Sequence, residues 1–209
     1  MLFRNISCTS RSVVSTTRRR FAALTSLAHV QHANGAHGHD AEQSGDLIDA
    51  SSGSDGRFYV EQLNEHWRSA VAGQNFTKGD VIGSASGTLF SKPTRFTVQI
   101  TPSEHIDFTG GLEFVNHGCD PNTRIHVVEG EAKVSFVAIK PIKEGEHLTF
   151  DYSTTEWDMD EKFDCRCGSP TCSGYICGAK YLSDEEVMER LPYFTPSVLR
   201  QLLGRRLAN

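Results

Sequence analysis

From Arg57 onward the apolar residues fall into short clusters, each bounded by turn-forming residues. Phe58 to Val60, Val81-Ile82, Phe96 to Ile100, Ile125 to Val128 and Lys133 to Ile139 have the β-branched and aromatic content of strands, and none sustains the 3.6-residue apolar period of a helix. Glu129-Gly130-Glu131 predicts a hairpin between the last two. Lys78-Gly79-Asp80 and Lys143-Glu144-Gly145-Glu146 are charged turns, each ahead of an apolar strand. No internal repeat at a fixed period is visible. The end of the chain changes character. Ser183-Asp184-Glu185-Glu186 is a capping box opening a helix through about Leu191, and Thr195-Pro196 opens a second with Val198, Leu199, Leu202 and Leu203 on one face. Arg205 and Arg206 close it at its negative end. Many short strands followed by two short C-terminal helices predict a mostly β fold, with the helices packed on the β body.

The N-terminal end has none of this patterning. Residues 1 to 39 hold Arg4, Arg11, Arg18, Arg19 and Arg20, no lysine, many Ser and Thr, and no acid before Asp40. That is the composition of an organelle transit peptide, and it points to mitochondrial import. His29, His32, His37 and His39 follow in an Ala/Gly/Ser-rich stretch that runs through Ser51-Ser52-Gly53-Ser54, and read as a linker. Taking the five arginines from the 21 basic residues leaves 16 against 26 acidic ones, a formal charge of −10 for the rest of the chain. Such a body attracts basic partners and repels nucleic acid. No apolar run approaches the roughly 18 to 20 residues of a membrane-spanning helix.

Candidate chemistry lies in two polar stretches. Asn116-His117-Gly118-Cys119-Asp120-Pro121-Asn122 suits a rigid loop, since Pro121 fixes its own φ and pushes Asp120 towards extended backbone. Leu112, Phe114 and Val115 anchor its approach. About fifty residues on, Cys165-Arg166-Cys167-Gly168-Ser169-Pro170-Thr171-Cys172 places three thiols within eight residues. Disulfide pairing cannot satisfy three cysteines, whereas a tetrahedral Zn²⁺ ion takes four thiolates at spacings of this kind. Cys177 offers local closure and Cys119 a long-range one. Cys119 is the preferred ligand, because it would clamp together two segments too poor in apolar residues to hold each other.

Three motifs in this order resemble the SET-domain lysine methyltransferases with a post-SET zinc segment: Asn116 to Asn122, Leu148-Thr149-Phe150-Asp151-Tyr152, and Cys165-x-Cys167-x4-Cys172-x-Gly174-Tyr175. The resemblance covers about residues 57 to 177. It implies a β-clip fold of small curled sheets in which the Asn116 loop and the Leu148 to Tyr152 segment thread together as a pseudoknot. It also maps the fourth zinc ligand to Cys119. By resemblance Asn116 and His117 contact S-adenosylmethionine, Phe163 is a lid over its adenine, and Tyr152 orients the amine at the methyl-transfer centre. Phe150 resembles the product-specificity position, where a phenyl ring without a hydroxyl implies di- or trimethylation.

Two departures stand out. Trp67-Arg68-Ser69 falls where the family has a Gly-x-Gly turn against the cofactor, so Trp67 either stacks on the cofactor or packs in the core. Gly83 to Leu89 lacks the tyrosine that lines the lysine channel in many members. Trp157, within the acidic run Thr155 to Glu161, either packs on the domain or edges the channel for a basic peptide. The chain therefore divides into a transit peptide and linker at 1–56, a SET domain at 57–153, a post-SET zinc segment at 154–177 and a helical extension at 178–209. The expected activity is methylation of a lysine in a protein substrate, with one structural Zn²⁺ and without direct nucleic-acid contact. The competing expectation is a catalytically inactive SET-fold zinc module that binds a partner. Nothing in the sequence speaks to oligomeric state.

Overall fold

The computed structural model describes residues 56–128 and 130–207. The expected transit peptide and nearly all of the histidine-rich linker lie outside the described residues, as does Glu129 of the predicted hairpin. Two strands open the fold, β1 (Phe58–Asn64) and β2 (Trp67–Ala72), paired antiparallel. Asn64 closes their turn by accepting a hydrogen bond from the His66 N–H on its side-chain oxygen at 2.9 Å. β2 escapes a reading by alternation because Ser69, Ala70, Val71 and Ala72 are all buried, so both of its faces are covered over these four residues.

The main sheet has the order β4-β5-β3-β8-β7, formed by β3 (Val81–Phe90), β4 (Val98–Thr101), β5 (Glu104–Phe108), β7 (Thr123–Val127) and β8 (Lys133–Ala138). In β8 buried Val134, Phe136 and Ala138 alternate with less buried neighbours, and β7 repeats this with Thr123, Ile125 and Val127. These two form the hairpin expected around Gly130. β3 runs well past Val81-Ile82, through Ser84, Ser86 and Thr88, because β8 and β5 pair with it on either side. Gly87 is required there: a Cβ would lie 2.0 Å from the Asp107 carbonyl oxygen of β5. Phe96, expected within a strand, lies outside β4 and is exposed, with the Arg95 guanidinium 5.0 Å from its ring centroid.

One core fills the space under this sheet, with Phe136, Ile82, Ile100, Ile106, Ile142 and Leu148 its largest fully buried side chains. A second, smaller cluster joins the C-terminal helices α1 (Asp184–Arg190) and α2 (Pro196–Leu207) through Ala179, Val187, Phe194, Val198 and Leu202. The Ser183 capping box forms with both of its hydrogen bonds, and Pro192 turns the chain out of α1 into a short 3-10 turn, Leu191–Tyr193. Leu203, expected on the buried face of α2, is exposed. Gln99 of β4 ties this cluster to the sheet: its side-chain oxygen accepts from the Trp157 N–H at 2.9 Å, and its amide nitrogen lies 3.5 Å from the Ser197 hydroxyl. Among the described residues, no helix is long and apolar enough to cross a membrane.

Candidate functional site

Two strands of two residues each bring the motifs together. β6 (Asn116–His117) runs parallel to β9 (Thr149–Phe150), with Asn116 opposite Thr149 and His117 opposite Phe150. The Gly118 N–H donates to the Phe150 carbonyl at 3.1 Å, extending the ladder by one bond. Asn122 fixes the far side of the loop, donating to the His147 carbonyl at 2.8 Å and accepting from the Thr149 N–H at 2.9 Å. The expected pseudoknot has this contact at its centre. Residues more than thirty positions apart in sequence are thereby held in register by backbone.

Around the pair lies an aromatic cluster. The ring of Tyr152 stands 4.6 Å from Phe150, 5.2 Å from His117 and 6.1 Å from Phe163, centroid to centroid. Phe163, at the start of β10 (Phe163–Asp164), also meets His117 edge-on at 5.8 Å. The Tyr152 hydroxyl is 3.5 Å from the Val115 carbonyl, and burial raises its pKa to about 12. It is therefore a neutral phenol at any physiological pH, suited to holding a nitrogen by hydrogen bonding and not to removing a proton. The His117 side chain is only 4% exposed. Its Nδ1 accepts from the Tyr152 N–H at 3.2 Å, which leaves the proton on Nε2, 3.2 Å from Cys119 Sγ. Burial lowers its pKa, with the Asp151 charge opposing and Arg190 assisting, so the ring is neutral.

The altered stretch at 67–69 lies against this loop. Asn116 Nδ2 donates to the Arg68 carbonyl at 2.9 Å, so the residues expected to share a cofactor do meet. The three side chains at the position of the expected Gly-x-Gly turn each have a separate place. Ser69 Oγ is 2.8 Å from His147 Nδ1, and the Arg68 guanidinium lies 5.2 Å from the Phe114 ring centroid. Trp67 is 54% exposed, which removes the core-packing alternative. The Arg68 backbone and the Asn116 carboxamide thus meet directly, and the Phe163 ring reaches the same loop through His117.

Cys119, Cys165, Cys167 and Cys172 converge with all four sulfurs within 4.8 Å of one another. Cys119 Sγ is 3.8 Å from Cys165 Sγ and 4.0 Å from Cys172 Sγ. A tetrahedron with metal–sulfur bonds of about 2.3 Å has edges of about 3.8 Å, so this donor set fits Zn²⁺. Cys177, the local alternative, is buried outside the group. Burial, and to a lesser degree the crowding of neighbouring thiols, pushes the Cys119 pKa up to about 11, and burial raises Cys165 too. Cys119 and Cys165 would ionise together only beside a dication.

Trp157 packs against the helical cluster, and its acidic neighbours are partly committed within the fold. Asp158 pairs with Lys162 at 3.0 Å and Lys180 at 2.8 Å and accepts from the Tyr181 hydroxyl, while Glu161 lies 3.6 Å from Arg95. Beside Gly83, Ser84 and Ala85, where the channel tyrosine was missing, an open cleft of about 390 Å³ is bounded by Phe58, Leu112 and Thr109. Sequence reasoning overlooked Asp151 as a structural centre, Arg190 as its partner and Glu156 as a buried acid. Asp151 sits within the recognised motif, but no local signal points to the other two.

A SET-domain family model matches residues 17–153, about two thirds of the chain. The chain belongs to the SET-domain family. The match ends beside Tyr152, ahead of the cysteine trio and the helices. A methyltransferase of Aspergillus flavus, flvH, is 32% identical over 136 residues, which are 61% of this chain and 74% of that protein. A histone-lysine N-methyltransferase of Schizosaccharomyces pombe, H3 lysine-4 specific, is 46% identical over 119 residues, 56% of this chain. One of the same description from Emericella nidulans is 33% identical over 123 residues. This SET-domain chain spans only 12% and 9% of those two larger enzymes. Among solved structures, KRYPTONITE in complex with mCHH DNA, H3(1-15) peptide and SAH aligns at a TM-score of 0.45 and 19% identity, over 56% of this chain and 29% of that one.

Proposed function

We propose that this chain is an S-adenosylmethionine-dependent protein-lysine N-methyltransferase whose post-SET segment is ordered by one structural Zn²⁺. The observation that carries the reading is the β6–β9 pair, which sets the Asn116–His117 loop and Tyr152 side by side above the cysteine cluster. When bound, the cofactor supplies an electrophilic methyl group, transferred as one carbon–sulfur bond breaks and a carbon–nitrogen bond forms. The residues would do the rest by placement. Trp67, Arg68, Asn116, the His117 backbone and Phe163 hold the donor, while the Phe150 and Tyr152 rings exclude water from the acceptor. A lysine amine has a pKa near 10.4 in water, and apolar walls beside a positive centre favour its neutral, nucleophilic form. Tyr152 then accepts a hydrogen bond from the amine and fixes its line of attack, the kind of positioning worth about 7 to 11 kcal/mol. Phe150, lacking a hydroxyl, leaves room for a second and third methyl group.

The acceptor is a lysine of a protein, and the arginine-rich N-terminal stretch makes an organellar protein the first class to test. A catalytically inactive zinc module is favoured by one observation, the three side chains at 67–69 in place of a glycine turn. Calorimetric titration of S-adenosylmethionine into the zinc-loaded chain separates the two readings. Micromolar binding, with radiolabel transferred to lysine of histone H3 or of a mitochondrial protein extract, supports the enzyme. Tyr152→Phe should keep binding and lose transfer by about 10² to 10³-fold. Absence of binding at one zinc per chain would leave only the module.

A further inference from the structure

Beyond the family match, α1 sends one side chain back into the site. Arg190, its last residue, is 13% exposed, and its Nε donates to Asp151 Oδ2 at 2.7 Å; the Asp151 side chain is 6% exposed. Asp151 uses its other oxygen, Oδ1, to accept from the Ser153 N–H at 2.9 Å, which caps the turn Tyr152–Thr154. That same oxygen lies 3.9 Å from His117 Nδ1, the atom that receives the Tyr152 N–H. The remaining guanidinium nitrogens are also engaged. Nη1 donates to the Glu186 carbonyl at 3.1 Å and lies 3.7 Å from Glu189 Oε2, and Nη2 donates to Ser173 Oγ at 3.4 Å. The Ser173 N–H in turn points at Cys119 Sγ, 3.5 Å away.

We propose that Arg190 is a positioning residue for methyl transfer: through Asp151 it sets the backbone turn that carries Tyr152 and the orientation of His117, and through Ser173 it ties both to the cysteine cluster. The inference rests on the methyltransferase reading. It assigns the helical extension a part in the site itself. The physical reason is the fork of the guanidinium. Its donors are coplanar and fixed relative to one another, so satisfying Asp151, Ser173 and the end of α1 at once defines how these three pieces sit. A buried carboxylate deprived of its cation has to find another partner or shift, and the Tyr152 turn shifts with it.

The test uses the full zinc-loaded chain and three variants, Arg190→Met, Arg190→Lys and Asp151→Asn. Arg190→Met should retain one zinc and its circular dichroism while S-adenosylmethionine affinity falls about tenfold or more, as the His117 loop proposed to hold the donor shifts with the freed Asp151. The Tyr152 amide and His117 ring-nitrogen resonances should move in the same variant without cofactor. Arg190→Lys should recover part of the affinity by restoring the charge, and Asp151→Asn should reproduce the loss. If Arg190→Met does not fold, the other two variants carry the comparison. A wild-type chain that binds no S-adenosylmethionine overturns the methyltransferase reading on which the proposal stands. A wild-type chain that binds, beside variants with equal affinity or unmoved Tyr152 and His117 resonances, overturns the positioning role alone.

Discussion

Replacing Cys119 by serine removes the one thiol of the four-cysteine cluster that comes from outside the cysteine-rich segment, and with it one ligand of the proposed zinc ion. Residues 164–174 are largely exposed, and their regular structure is the two-residue pair of β10 with β11 (Tyr175–Ile176). Little apolar burial holds this segment to the Asn116 loop, so the proposed metal would have to do it. Structural zinc contributes about 10 to 16 kcal/mol of apparent free energy at neutral pH, and an equal share among four thiolates is roughly 3 kcal/mol. Cys119→Ser should therefore weaken zinc binding by about two orders of magnitude, as 1.4 kcal/mol is about tenfold. Competition with a chelator of known affinity measures this directly. Limited proteolysis should show earlier cleavage near Arg166, and S-adenosylmethionine binding should fall in parallel because Phe163 and His117 lose a common anchor. Cys177→Ser serves as the reference, with wild-type zinc affinity expected from its place outside the cluster. Undiminished zinc affinity in Cys119→Ser, or a loss confined to Cys177→Ser, would refute the assignment.

Two further predictions concern residues of the core. Burial raises the Glu156 pKa from 4.5 to about 7, with hydrogen bonds from the Gln99 N–H and Thr155 only partly offsetting it. The folded chain thus binds this proton more tightly than the unfolded one, and stability falls as pH rises from about 4.5 to about 7. Glu156→Gln keeps the acceptor oxygen without the charge, so it should stabilise by up to about 3 kcal/mol at pH 8 and progressively less towards pH 5; an equal melting-temperature difference at both pH values would sink this account. Phe150→Tyr introduces a hydroxyl beside Tyr152, which should hold water against the acceptor and shift products towards monomethyl-lysine, read by mass spectrometry; an unchanged product distribution would mean Phe150 does not face the acceptor.

Strands with one buried face were legible because burial writes itself into the sequence as alternation, and β7 and β8 show it. The capping box at Ser183 was legible because all of its atoms lie within four residues. Three cysteines within eight residues announced a metal by the chemistry of thiols alone, and the recognised motifs marked the candidate site. Position was harder to read. β2, with both faces covered, and β5 had no such period, and β3 continued through serines and glycines because its neighbours supplied the pairing. The fate of Trp67, Arg68 and Ser69 depended on His147 and Phe114, which are distant in sequence. The same holds for Cys119 over Cys177 and for Arg190 beside Asp151. A side chain's local propensity is set by its own backbone, whereas its partner across the fold is chosen by the packing of the whole core. The sequence by itself determined which motifs and residue types this chain offers, and only the tertiary structure decided which of them meet.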